Sequence, residues 1–128
     1  SFAAQLDAIK SDPHKTAWEA LEFYFSPYLH FARTPDKVCL CGALAGKIPA
    51  LPEEMRLEVK RFMEDHQSWL EDILQSGRRS GELNFNETPA RLSRMLFNTL
   101  QGTLLVKRST DDLGQLQDVI KAIKRMLK

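Results

Sequence analysis

Apolar residues recur three and four positions apart along most of the chain, and proline, glycine and capping residues cut the pattern into helical segments. Phe2, Leu6 and Ile9 predict the tail of a helix over Ser1 to Lys10. Asp12-Pro13 then punctuates, with Ser11 or Asp12 placed to cap the next helix and Pro13 suited to its first turn. That second helix is expected from about His14 to Ala32. Trp18, Leu21, Phe25, Tyr28 and Ala32 form one stripe, widened by Ala17, Tyr24, Leu29 and Phe31, so the helix should pack on several faces. Pro27 inside it should kink or divide it.

Val38 to Lys47 is a short apolar piece that periodicity cannot assign between helix and buried strand; a helix is favoured because no partner strand is visible elsewhere. Ile48-Pro49-Ala50-Leu51-Pro52 reads as a linker. The longest helix is expected from about Pro52 to Ser76, with Glu53 and Glu54 at its positive dipole end and Gly77 as its C-terminal cap. Its inner stripe is Met55, Val59, Phe62, His66, Trp69, Leu70 and Ile73. A turn over residues 80–85 follows, pinned to the core by Leu83 and Phe85. Asn86 or Thr88 caps the next helix, with Pro89 at its first position and an end near Arg108. Leu92, Leu96, Thr99, Leu100, Thr103 and Leu104 line one broad face. Met95, Phe97, Leu105 and Val106 lie partly on others. Mid-helix Gly102 costs about 1 kcal/mol against Ala, which close approach of another helix would offset. Thr110 or Asp111 caps a last helix to Leu127, whose inner positions are Leu113, Leu116, Val119, Ile120, Ile123 and Leu127. The expected fold is therefore all-α, a helical bundle in one domain.

Charge narrows the function. Lys and Arg number 18 against 17 Asp and Glu, a net charge of +1, whereas a nucleic-acid-binding domain usually carries a clear basic excess. The local basic clusters, Arg78-Arg79 and Lys121, Lys124, Arg125 and Lys128, sit where helices should end and suit the helix dipole. No apolar run approaches the ~20 residues needed to span a bilayer. Ser1-Phe2-Ala3-Ala4 lacks the pattern of a signal peptide. It also lacks a starting Met and opens in mid-helix, so the chain is expected to begin inside a longer natural protein. The two cysteines, Cys39 and Cys41, are too close for a disulfide framework and fit a reduced, cytoplasmic setting.

Enzyme chemistry has no foothold in the sequence. It contains no Gly-rich phosphate loop, no Gly-x-Ser-x-Gly turn and no His-Glu-x-x-His. Glu64, Asp65 and His66 are consecutive, and successive helical residues point in different directions. Zinc would require further Cys or His ligands at suitable spacing beside Cys39 and Cys41. Neither a metal nor a cofactor is expected.

The order of pieces carries a resemblance. Cys39-Leu40-Cys41-Gly42-Ala43-Leu44-Ala45 precedes the Pro-flanked linker. A long helix ends in Trp69-Leu70-Glu71-Asp72-Ile73-Leu74, followed by Gly77 and Gly81-Glu82-Leu83. The next helix holds Leu100-Gln101-Gly102-Thr103-Leu104-Leu105 and ends in Lys107-Arg108. This resembles the C-terminal, effector-binding and dimerisation domain of a TetR-family transcriptional regulator, over nearly the whole chain and best from Val38 to Leu127. The motifs are helix-packing patterns rather than a catalytic signature. The resemblance implies a homodimer whose last two helices pair in a four-helix bundle, a pocket for a small-molecule effector, and an N-terminal helix-turn-helix DNA-binding domain that is not present in this sequence. It implies regulation of transcription, as a repressor, with DNA bound only through that missing domain.

With that family in view, Trp18, Tyr28, Phe62 and Trp69 are candidate walls of a pocket for an apolar or aromatic effector; the alternative for an aromatic stripe is plain core, and core is favoured for Phe25. His66 lies on the same stripe and could hydrogen-bond a ligand or be satisfied by a protein neighbour. Asn98 and Thr99 could reach the cavity or serve helix contact. His14 and His30 lie near helix ends. No anion-binding cluster is apparent, so a strongly charged effector is not expected. Leu100, Gly102, Leu104, Leu116, Ile120 and Ile123 are the expected dimer contacts, and Gly102 fits a close helix crossing. The competing reading is a helical protein-interaction module without a small-molecule site.

Overall fold

The computed structural model describes residues 2–33 and 50–128. Among them lie five helices: α1 (Phe2–Ser11), α2 (Ala17–Arg33), α3 (Glu53–Ser80), α4 (Pro89–Thr110) and α5 (Gly114–Leu127). No strand occurs among the described residues, in keeping with the all-α expectation. The short helix expected at Val38 to Lys47, with Cys39 and Cys41, lies outside them, as do Ile48 and Pro49.

Helix ends follow local hydrogen bonding, and three differ from expectation. α2 starts later than His14 because Asp12 closes a turn of its own, its carboxylate accepting from His14 N at 2.9 Å and its carbonyl from Lys15 N at 3.2 Å. Thr16, not Ser11 or Asp12, caps α2. Its Oγ1 accepts from Glu19 N at 3.1 Å, the first half of a Thr-x-x-Glu capping box, and donates to Glu19 Oε1 at 3.4 Å. Pro27 lies inside α2 without dividing it. α3 runs past Gly77 and is capped by Gly81, whose φ of +84° is the left-handed conformation that glycine adopts freely. Gly77 serves packing instead. A Cβ there would stand 2.5 Å from Leu83 Cδ1 and 2.9 Å from Ala17 Cβ, so only a bare backbone lets α2 and the Leu83 turn close on α3. α4 begins as expected, with Thr88 Oγ1 accepting from Arg91 N at 3.2 Å and Pro89 leading the helix. It ends at Asp111 in a left-handed conformation, and Thr110 belongs to α4. Asp112, rather than Thr110 or Asp111, supplies the side-chain acceptor at the start of α5, to Gly114 N at 2.9 Å.

α3 packs along α4 and α4 along α5, while α2 touches all three and α1 rests on α2 and α3. The core at their centre comprises Leu21, Tyr24, Phe25 and Tyr28 of α2, Trp69, Leu70, Ile73 and Leu74 of α3, Leu92, Leu96, Phe97, Leu100 and Leu104 of α4, and Leu116, Ile120, Ile123 and Leu127 of α5. Leu83 plugs its end as expected, and half-buried Phe85 carries the Arg78 guanidinium 4.7 Å above its ring. The Leu83 turn is also tied to the end of α5, Asn84 N donating to Leu127 O at 2.8 Å and Asn84 Nδ2 to Lys128 O at 2.9 Å. The inner stripe of α3 is shorter than its sequence suggests: burial begins at His66, while Met55 and Phe62 are exposed. Among the described residues two ion pairs cross between helices, Lys10 to Asp72 and Lys124 to Glu22. Their side chains are largely exposed, where such pairs contribute about 0–1 kcal/mol.

Candidate ligand site and outer helix face

Tyr24 is the hub of a buried aromatic and polar cluster. α2 presents Tyr24 and Tyr28 one turn apart, α3 presents His66 and Trp69, and α4 presents Phe97 and Gln101. The Trp69 ring stacks on Tyr24 at 5.5 Å and 19°, and its Nε1 donates to Leu6 O of α1 at 2.8 Å. Tyr24 Oη lies 2.9 Å from His66 Nδ1 and 3.0 Å from Tyr28 Oη. Gln101 Nε2 donates to Tyr28 Oη at 3.0 Å. Phe62 covers His66 at the outer edge with ring centroids 4.1 Å apart, and Phe97 approaches it at 5.8 Å.

Burial sets the electrostatics. Loss of water lowers the His66 pKa to about 4, against a smaller upward pull from Asp65. The ring is therefore neutral at pH 7. In the tautomer whose Nδ1 accepts, the hydrogen bonds run one way, from Gln101 to Tyr28, Tyr28 to Tyr24 and Tyr24 to His66. Bonds aligned in this way reinforce one another. At the head of the chain Gln101 Oε1 is buried and, among the described residues, has no partner. An amide oxygen left so costs on the order of 1–3 kcal/mol, and native structures seldom carry one.

The structure brings together four of the residues expected around a pocket, Tyr28, Phe62, His66 and Trp69. Trp18 is not brought to them. It sits two turns before Tyr24 on α2, where its Nε1 donates to Glu82 O at 3.0 Å. Asn98 is exposed, its Oδ1 accepting from Gln67 Nε2 at 3.2 Å. Thr99 faces outward. Gln101 had not been singled out by sequence; its only signal was a polar residue one turn after Phe97 on a face otherwise apolar.

The outer side of α4 and α5 has a different character. Leu100, Leu104, Leu116, Ile120 and Ile123, expected as dimer contacts, are buried within their own chain, at most 5% exposed. They are core residues, because the apolar stripe of α4 turns toward α2 and α3 and that of α5 toward α2 and α4. What faces outward is Met95, Leu105 and Val106 of α4 and Met126 of α5, each between 45% and 60% exposed. Gly102 lies among them, and a Cβ there would meet nothing within 4 Å. Among the described residues no three His, Cys, Asp or Glu side chains could hold a metal ion, and no helix is long and apolar enough to cross a membrane.

The described residues form a helical bundle with an aromatic cluster at its heart and exposed apolar side chains on its last two helices. Residues 17–123 match the family model described as the tetracyclin repressor-like C-terminal domain, and the chain belongs to the TetR family of transcriptional regulators. It is similar to a TetR transcriptional regulator from Legionella pneumophila, with 25% identity and a TM-score of 0.82 over 99% of this chain and 66% of that one. It also shares the fold of E. coli NemR in its reduced form, with 17% identity and a TM-score of 0.87 over 99% of this chain and 67% of that one. The chain thus spans about two thirds of the length of these structures. No curated protein sequence matches it. The family comprises transcription regulators and is not an enzyme class.

Proposed function

We propose that this chain is the effector-binding and dimerisation domain of a transcriptional repressor. A small apolar or aromatic effector occupies the junction of α2, α3 and α4. The observation that carries this reading is the cluster itself: a hydrogen-bonded chain lined by aromatic rings, headed by a buried amide oxygen that has no partner among the described residues. Binding sites for small molecules have this composition, apolar walls with a few placed polar groups. A second copy covers the outer face, so that Met95, Leu105, Val106 and Met126 leave water and the bare backbone at Gly102 lets two α4 helices approach. A two-fold dimer is the commonest soluble assembly, and TetR-family regulators act as dimers with small-molecule effectors. In the intact protein an N-terminal helix-turn-helix domain outside this chain reads DNA. The effector shifts the population of orientations open to that domain.

Light scattering over a dilution series and a thermal-shift screen of apolar and aromatic compounds test the two halves. A dimer stable to dilution that Gly102→Leu weakens supports the assembly; a dimer indifferent to Gly102→Leu removes this face from the interface, and a monomer at every concentration refutes dimerisation. A bound compound should lose affinity in Phe62→Ala and Trp69→Ala. Unchanged affinity in both would refute the site.

A further inference from the structure

The effector reading leaves the chemistry of the ligand open, and the cluster restricts it. Among the described residues the cluster (Tyr24, Tyr28, Phe62, His66, Trp69, Phe97 and Gln101) contains no Asp, Glu, Lys or Arg, and burial keeps His66 neutral. A charged ligand would surrender its hydration there without gaining a counter-charge. In the tautomer whose His66 Nδ1 accepts, each donor of the chain meets an acceptor: Tyr24 donates to His66, Tyr28 to Tyr24 and the Gln101 amide nitrogen to Tyr28. Gln101 Oε1, the other end of that amide, is buried and, among the described residues, lacks a donor. An acceptor-only molecule would set its lone pairs against those of Oε1.

We infer that the effector is an uncharged molecule with an apolar, aromatic-sized body and one N–H or O–H group, which donates to Gln101 Oε1 and completes the chain through Tyr28 and Tyr24 to His66. The inference rests on the effector reading above and adds the sign of the key hydrogen bond. Gln101 is then the specificity-determining residue. A donor on its Oε1 also polarises the amide and tightens its bond to Tyr28.

Isosteric probes test it by calorimetry: indole against benzofuran, and 2-naphthol against 2-fluoronaphthalene. In the wild-type chain the member with the donor should bind about tenfold or more tightly, the usual penalty for leaving a buried acceptor unmet. In Gln101→Leu that preference should vanish while benzofuran binds within about twofold of its wild-type affinity, which shows the apolar walls intact. Equal affinities within each wild-type pair would overturn the inference and mean that ordered water serves Oε1. A preference that survives Gln101→Leu would overturn it too, by placing the donor elsewhere. Binding by none of the four also overturns it, and the effector reading then stands or falls separately on the wider thermal-shift screen.

Discussion

The His66 site makes a prediction about acid stability with a definite sign and size. In the unfolded chain the imidazole titrates near its ordinary value of 6.5; in the folded one burial lowers it to about 4. The unfolded state therefore binds more protons between these values, so stability falls as the pH drops through 6.5 and the loss stops growing below about 4. From the two pKa values the loss is about 1.3 kcal/mol at pH 5.5 and about 2.5 kcal/mol at pH 4.5, relative to pH 7.5. Carboxylates titrate over the lower part of this range, so the wild type alone does not isolate the effect. His66→Gln does, since the amide can still meet Tyr24 Oη but carries no titrating proton. Urea unfolding of both chains at pH 7.5, 5.5 and 4.5 gives the comparison. His66→Gln should start less stable at pH 7.5 and lose less on acidification, by the amounts above. Parallel profiles, within about 0.5 kcal/mol at all three pH values, would refute the neutral buried imidazole and the direction of the chain that ends on it.

Three further outcomes follow from the packing. Gly77→Ala gains about 1 kcal/mol of helix propensity, but its methyl collides with Leu83 and Ala17, so urea unfolding should show a net loss of about 1–2 kcal/mol; a gain would mean that the Leu83 turn moves freely. Thr16→Ala removes the α2 cap and should cost about 1 kcal/mol in the same assay, with no change if Glu82, which accepts from Ala17 N at 2.8 Å, suffices. Trp69→Phe keeps a ring against Tyr24 but drops the bond to Leu6 O, so hydrogen exchange of the α1 amides should accelerate several-fold, corresponding to about 1 kcal/mol; unchanged exchange would show that Leu6 burial alone holds α1.

The sequence was most informative where one local rule acted alone. Thr88-Pro89 announced the start of α4, and the 3-4 spacing of Leu116, Ile120, Ile123 and Leu127 announced the inner face of α5. It misled where more than one residue could satisfy the same rule. Gly77 and Gly81 both qualify as a C-terminal cap, and only the approach of Leu83 and Ala17 assigns Gly77 to packing. Ser11, Asp12 and Thr16 all qualify as an N-terminal cap, and the turn Asp12 makes for itself leaves Thr16 the role. For the aromatic cluster, spacing placed His66 and Trp69 on the buried stripe of α3. Gln101 escaped notice because its importance is a property of partners on α2, which no periodicity along α4 encodes. The same holds for the dimer contacts. Apolar character marks Leu100 and Leu105 equally, and only the bundle decides which is core and which is surface.

That decision gives α4 its particular place. Gln101 and Gly102 are neighbours in sequence, yet Gln101 turns toward Tyr28 and Gly102 toward open space. An α-helix is about 10 Å across and its backbone is stiff, so the two positions cannot shift independently. A molecule that wedges α4 away from α2 to reach Gln101 must also displace Gly102 and its neighbours Leu105 and Val106. The proposed effector site and the proposed dimer face therefore share one rigid element, with no chain of intervening side chains needed to join them. Coupling of this kind is reciprocal: whatever factor the effector applies to dimer affinity, dimerisation applies to effector affinity. It is also limited, because an effector that seats itself without moving α4 has no differential contact with the two states and cannot shift them. The size of the group placed between Tyr28 and Gln101, more than its affinity, then sets how strongly the dimer responds.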